Sequence, residues 1–165
     1  MDSVGENFGK LFNSPLEAGI RAVVVLEKLR PVSVDLAEMV LFDHVVVHTA
    51  DLGGPPSLHP ALPDRKGELQ VRRRLIERSL ELMRRCHLVD QEITDEGVLY
   101  RASDEAAGYI ELLETRYSER LKECADWIAA QVRLNNKVAF KGFVRDRIGD
   151  WTDAFSPVGG NSLQG

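Results

Sequence analysis

The chain has 165 residues, 44% of them apolar, and a formal net charge of −5. That length suits one core with appendages and needs no disulfide or metal staple. The longest nearly unbroken apolar stretch, residues 40–47, is interrupted by Asp43 and His44. It falls far short of the ~20 residues of a membrane span, and no basic segment followed by an apolar run opens the chain, so we expect a cytoplasmic protein without leader or anchor. Charge is unevenly spread. Residues 64–86 hold eight Arg or Lys and four Asp or Glu, a local +4 on a remainder of −9. A general nucleic-acid binder is usually basic overall. A basic patch on an acidic body suits an acidic protein partner, or DNA met within a larger complex.

Residues 1–13 read as an arm in which Phe8, Leu11 and Phe12 can dock onto a surface. Ser14-Pro15-Leu16-Glu17 combines a capping hydroxyl, a first-turn proline and a capping-box glutamate, and predicts a helix that Pro31 stops. A second helix starts at Ser33. Its β-branched end could form a strand, but the length and the spacing of Leu36, Met39, Val40, Val46 and Val47 favour helix. An almost wholly apolar helix belongs at the centre of a core.

Residues 52–67 carry Gly53, Gly54 and four prolines (Pro55, Pro56, Pro60, Pro63), too many breakers for regular structure. A 16-residue ordered loop is uncommon and often functional. An Arg-rich amphipathic helix follows at 68–86, then a hairpin whose strands flank Asp95-Glu96-Gly97. Ser103 starts another helical stretch with apolar residues from Ala106 to Ile128, one long helix or two with a break near Tyr117. It packs on the preceding domain or forms an oligomer seam. A last helix over 136–151 places Phe140, Phe143, Val144 and Trp151 on one face, and 152–165 reads as a tail. Cys86 and Cys124 fall at apolar helical positions and read as small core residues.

Three helices running into a two-strand wing are the layout of a winged helix. The expected fold is therefore mainly α: a winged-helix domain over 14–103 and a C-terminal helical extension over 104–151. That fold binds DNA in some proteins and other proteins in many more.

The run HTADLGGPPSLHPALPDRKGELQVRR, residues 48–73, resembles the small middle component of bacterial ABC-type three-component systems. These are related to the small accessory subunits of Lamassu anti-phage defence systems. LEAGIRAVVVLEKL from Leu16 and GVLYRAS from Gly97 agree, so the likeness covers most of the chain. The resemblance implies a non-enzymatic subunit without cofactors. Its implied partners are a coiled-coil ATPase of the chromosome-maintenance and break-repair type and an effector subunit, often a nuclease.

Several residues carry candidate roles. On a helical wheel Arg72 lies on the apolar stripe of Leu75, Ile76, Leu80, Met83 and Cys86, so its guanidinium must be paired or must snorkel. Asp43 has the mirror problem on the second helix. Asp43, His48, Asp51, Gly53, Gly54, His59 and Arg72 thus form a candidate structural cluster in which Arg72 forks onto a loop or helix carboxylate. His44, His48, Asp51 and His59 could instead bind zinc, but no HExxH-like spacing supports it. Ser57, His59 and Asp51 could be written as a hydrolase triad, but no nucleophile elbow surrounds any serine. Arg73, Arg74, Arg78, Phe140, Phe143 and Trp151 are candidates for partner binding. Arg84 and Arg85 are candidates for DNA phosphate contact. Glu77 and Glu81 on the same face, and Asp90, Glu92, Asp95 and Glu96 on the wing, oppose direct readout. An adaptor with weak or indirect DNA contact is therefore expected, with a winged-helix transcriptional regulator as the alternative.

Overall fold

The computed structural model describes residues 14–60 and 65–148. Three helices form the first layer: α1 (Pro15–Leu29), α2 (Leu36–Val47) and α3 (Arg65–Arg85). A hairpin of β1 (Val89–Thr94) and β2 (Gly97–Ala102) follows, then α4 (Ala106–Glu111), α5 (Arg116–Asn135) and α6 (Lys137–Ile148). The hairpin is antiparallel, with Val89 opposite Ala102 and Thr94 opposite Gly97. Val34, between α1 and α2, exchanges two backbone hydrogen bonds with Tyr100 and adds a one-residue third strand to β2. The fold is mainly helical with a small wing, a winged helix with extra C-terminal helices.

Local chemistry sets the helix ends. Ser14 Oγ accepts from the Glu17 amide, with Pro15 in the first turn. Asp35 and Glu38 form a reciprocal capping box at α2. Every residue of α2 from Glu38 to Val47 is buried, as a helix with apolar residues on all sides requires, and Glu38, Asp43 and His44 are buried with them. Helix α2 ends at Val47, short of Asp51, because the chain tightens into a 3-10 turn over Thr49–Leu52. At the end of α3, His87 takes a left-handed φ of 61°. Its amide donates to Arg84 C=O and the Leu88 amide to Met83 C=O, both at 3.0 Å. This six-to-one closure satisfies the last carbonyls and turns the chain into the wing. Cys86, expected in the core, is exposed there, because the helix ends one residue before it.

The stretch after the wing is two helices. The break falls at 112–115, a little before Tyr117, where Thr115 Oγ1 accepts from the Ser118 amide and starts α5. Asn136, with φ 65°, separates α5 from α6 and caps α6 through its side-chain oxygen.

The extension closes the molecule's own core. Phe140 stacks on Phe42 of α2 with ring centroids 5.9 Å apart and planes 6° from parallel. Lys137 and Lys141 converge on Glu38, at 3.1 and 3.0 Å. Burial pushes the Glu38 carboxyl up, but the Asp35 amide and the two ammonium groups outweigh it and hold it below its ordinary value. One carboxylate thus caps α2 and clamps α6.

The Gly-Pro loop supplies the other join. Gly53 is left-handed, with φ 79°. At Gly54 a β-carbon would lie 2.8 Å from the Trp127 indole of α5. Gly54→Ala should therefore destabilise the protein by about 1–3 kcal/mol. Thermal unfolding of Gly54→Ala alone and with Trp127→Leu checks this; the penalty should shrink in the double variant.

Candidate functional site

Each helix of the first layer contributes one ionised side chain to a shared buried cluster. Arg21 of α1 sits among Ala18, Ala22 and Val25, Asp43 of α2 between Phe42 and Val46, and Arg72 of α3 before Ile76. The three meet. Arg21 Nε donates to Asp43 Oδ1 at 2.9 Å and Nη2 to Oδ2 at 3.3 Å. Arg72 Nη1 donates to Oδ2 at 2.5 Å. Asp43 is 0% exposed, Arg21 1% and Arg72 7%. Burial pushes the Asp43 carboxyl up, yet the two guanidinium groups prevail and hold it at about 2. Burial likewise opposes the charge on Arg21, but Asp43 and the Tyr117 hydroxyl keep it well above its ordinary range.

The cluster continues outward through Tyr117 of α5, which hydrogen bonds to Arg21. His59 Nε2 lies 3.1 Å from the Tyr117 hydroxyl, with the rings stacked. His48 meets His59 edge-on at 6.4 Å and His44 at 4.4 Å. Burial, then the Arg21 charge, lower His59 to about 4, so it is neutral at physiological pH. The described part of the loop that carries His59 is tied back to the end of α2 and to the 3-10 turn. Leu58 and His59 amides both donate to Val47 C=O, the Ala50 amide to Ser57 Oγ, and Thr49 Oγ1 to Pro55 C=O. From α5, Arg120 donates to Ser57 C=O and the Cys124 thiol faces Thr49.

Asp43, Arg72, His48 and His59 are thus brought together, and Gly53 and Gly54 shape the loop above them. Asp51 is exposed on the 3-10 turn. Ser57 Oγ accepts from the Ala50 amide and His59 Nε2 meets the Tyr117 hydroxyl, so both side chains are engaged in holding the loop. Among the described residues no group of three or more His, Cys, Asp or Glu side chains could hold a metal ion. Arg21 escaped the sequence reading. Its signal was an Arg alone in an apolar run from Ala18 to Leu26, the same anomaly as Asp43 in α2.

Outside this core, Arg73, Arg74 and Arg78 are exposed on α3 and, among the described residues, form no ion pair. A shallow groove runs beside them, lined by Arg74, Glu77, Arg78, Glu81, Leu82 and Arg85. Arg84 and Arg85 are both engaged by Glu81, at 2.9 and 3.3 Å. That carboxylate would face any phosphate they approached. Phe140, a candidate for partner binding, is 1% exposed and packs on Phe42, so it serves the core instead. Phe143 is 37% exposed with the Arg147 guanidinium 5.2 Å over its ring. Trp151 lies outside the described residues.

Two predictions follow from the buried cluster. Asp43→Asn leaves two buried guanidinium groups facing a neutral amide and should cost about 3–5 kcal/mol. Arg72→Met keeps the Arg21–Asp43 pair and should cost distinctly less; denaturant unfolding of both variants compares them. His59 supplies a pH dependence. Its folded value lies below its unfolded one, so between about pH 6.5 and 4 the unfolded chain binds more protons and stability falls as pH falls. The loss should reach about 1–2 kcal/mol, reduced by the partial exposure of the ring. Unfolding midpoints from pH 7.5 to 4.5 should show this slope in the wild type and lose it in His59→Gln.

Comparison with known families matches residues 11–154 to the ABC-three component (ABC-3C) system Middle Component 2. No match was found among curated proteins or among solved structures. The matched span includes all of the described winged helix, the loop over the buried cluster, and the helices that close the core. The chain belongs to the Middle Component 2 family of ABC three-component systems.

Proposed function

We propose that this middle component is a non-catalytic adaptor. It bridges a coiled-coil ATPase of the chromosome-maintenance type and an effector subunit, and helps hold the effector silent until foreign DNA is sensed. Family membership makes it an accessory part of a multi-component system. The identity of its partners and its bridging role are our reading.

The observation that carries this reading is how the charges are divided. The buried ionisable groups are engaged with one another and hold helices together, whereas Arg73, Arg74 and Arg78 stand exposed and without ion pairs among the described residues. Arginine is over-represented at interface anchors because its planar fork matches carboxylates. Glu77 and Glu81 beside these arginines, and the acidic wing, favour a protein partner over duplex DNA. Phe143, half-covered by Arg147, offers a second anchor on α6.

Arg74→Glu with Arg78→Glu should leave the unfolding midpoint within a few degrees of wild type and stop the subunit co-purifying with the other components of its system. Phe143→Ala, assayed the same way, reports whether α6 contributes. Duplex DNA should bind weakly, without sequence preference, and be released by salt. Nanomolar, sequence-selective DNA binding at physiological salt would replace the adaptor by a winged-helix regulator.

A further inference from the structure

Among the described residues the wing leaves one sheet edge open. Val34 covers the outer side of β2, and β1 lies on the other side of the hairpin. The register shows which β1 groups face outward. The Ser103 amide donates to Leu88 C=O, so Leu88 and Ser103 form a hydrogen-bonded pair. Antiparallel pairs alternate, which makes Asp90–Arg101, Glu92–Leu99 and Thr94–Gly97 the inward-bonded pairs. Tyr100 agrees, since its amide and carbonyl point away from β1 to Val34. The backbone groups of Gln91 and Ile93 therefore point outward from β1, and no hydrogen bond among the described residues engages them.

The two faces of this edge differ. On one, Val89 and Ala102 are buried at the base, but the pair Ile93–Val98 at the tip is not closed over, and Ile93 is 83% exposed. On the other, Asp90 and Glu92 are exposed, with Asp95 and Glu96 in the turn. Residues 88–103 carry these four carboxylates against the single cation Arg101, a net −3.

We propose that β1 is a docking edge for an extended basic segment of a partner protein, added to the wing as a further strand. Backbone bonds to Gln91 and Ile93 would set its register. Side chains alternate between faces, so the segment alternates an apolar or threonine residue, which covers Ile93, with Lys or Arg, which meets Asp90 and Glu92. A second copy of this chain does not fit, because β1 against β1 sets Asp90 and Glu92 beside like charges. The proposal is independent of the α3 arginines, which suit an acidic partner.

The test uses the full chain and a labelled eight-residue peptide alternating Lys or Arg with Val or Thr, followed by fluorescence anisotropy. Binding should be saturable and weaken with salt. It should fall at least tenfold with a block-scrambled peptide of the same composition, and with a peptide N-methylated at alternate residues, which loses donors along one edge. Gln91→Pro removes an outward amide while sparing the hairpin bonds, as edge prolines do, and should fall equally. Asp90→Lys with Glu92→Lys should reverse the preference to an acidic analogue. Absence of binding, equal affinity for the N-methylated or scrambled peptide, or concentration-dependent dimerisation abolished by Gln91→Pro would each overturn the proposal. If Gln91→Pro fails to fold, the N-methylated peptide on wild-type protein decides alone.

Discussion

A carboxylate shut away from water must find cationic hydrogen-bond donors, and Asp43 takes one from each neighbouring helix. Arg21 holds both of its oxygens from α1, and Arg72 completes the second oxygen from α3. Replacing such a cluster with apolar residues is often neutral or stabilising, so its burial is no measure of bulk stability. It constrains arrangement: α1, α2 and α3 must sit at one mutual rotation for the three groups to meet. Apolar packing alone is non-directional and would tolerate several rotations. Through Tyr117 and His59 the same constraint reaches α5 and the Gly-Pro loop.

This gives a physical account of the most distinctive stretch of the chain. A loop with two glycines and three prolines between residues 53 and 60 looks like a binding loop. Here it is a join, tied to Val47 at the end of α2 and to Arg120 and Trp127 on α5. Prolines lower the entropy lost on ordering it. Left-handed Gly53 makes the turn, and Gly54 lets the backbone lie against an indole. Its described part joins the C-terminal helices to the winged helix, while the arginines of α3, the wing and Phe143 of α6 stay exposed.

Those surfaces have opposite signs. The exposed half of α3 is rich in arginine and the hairpin in carboxylates, so one module can present complementary faces to two different partners. Glu81 divides the arginines of α3. It engages Arg84 and Arg85 near the wing, whereas Arg73, Arg74 and Arg78 form no ion pair among the described residues.

Periodicity and end signals made the helices, the hairpin and its turn legible, because capping and side-chain spacing act within a few residues. The anomaly of a charge on an apolar stripe also marked Asp43 and Arg72 from sequence. That Arg72 needs a carboxylate was legible; that the carboxylate is Asp43, and that Arg21 shares it, was not, since Arg21 and Arg72 lie 22 and 29 positions from Asp43. The same distance in sequence hid the fate of the aromatic stripe on α6. Phe140, Phe143 and Val144 share a face within one helix, but only the docking of α6, with Phe140 on Phe42, decided that Phe140 and Val144 are buried and Phe143 is not. Cys86 read as core because the helical stripe extends to it; a left-handed residue at His87 ended the helix first. Local chemistry determined which elements form. Which charges meet, and which apolar groups remain outside, depended on how those elements close on one another.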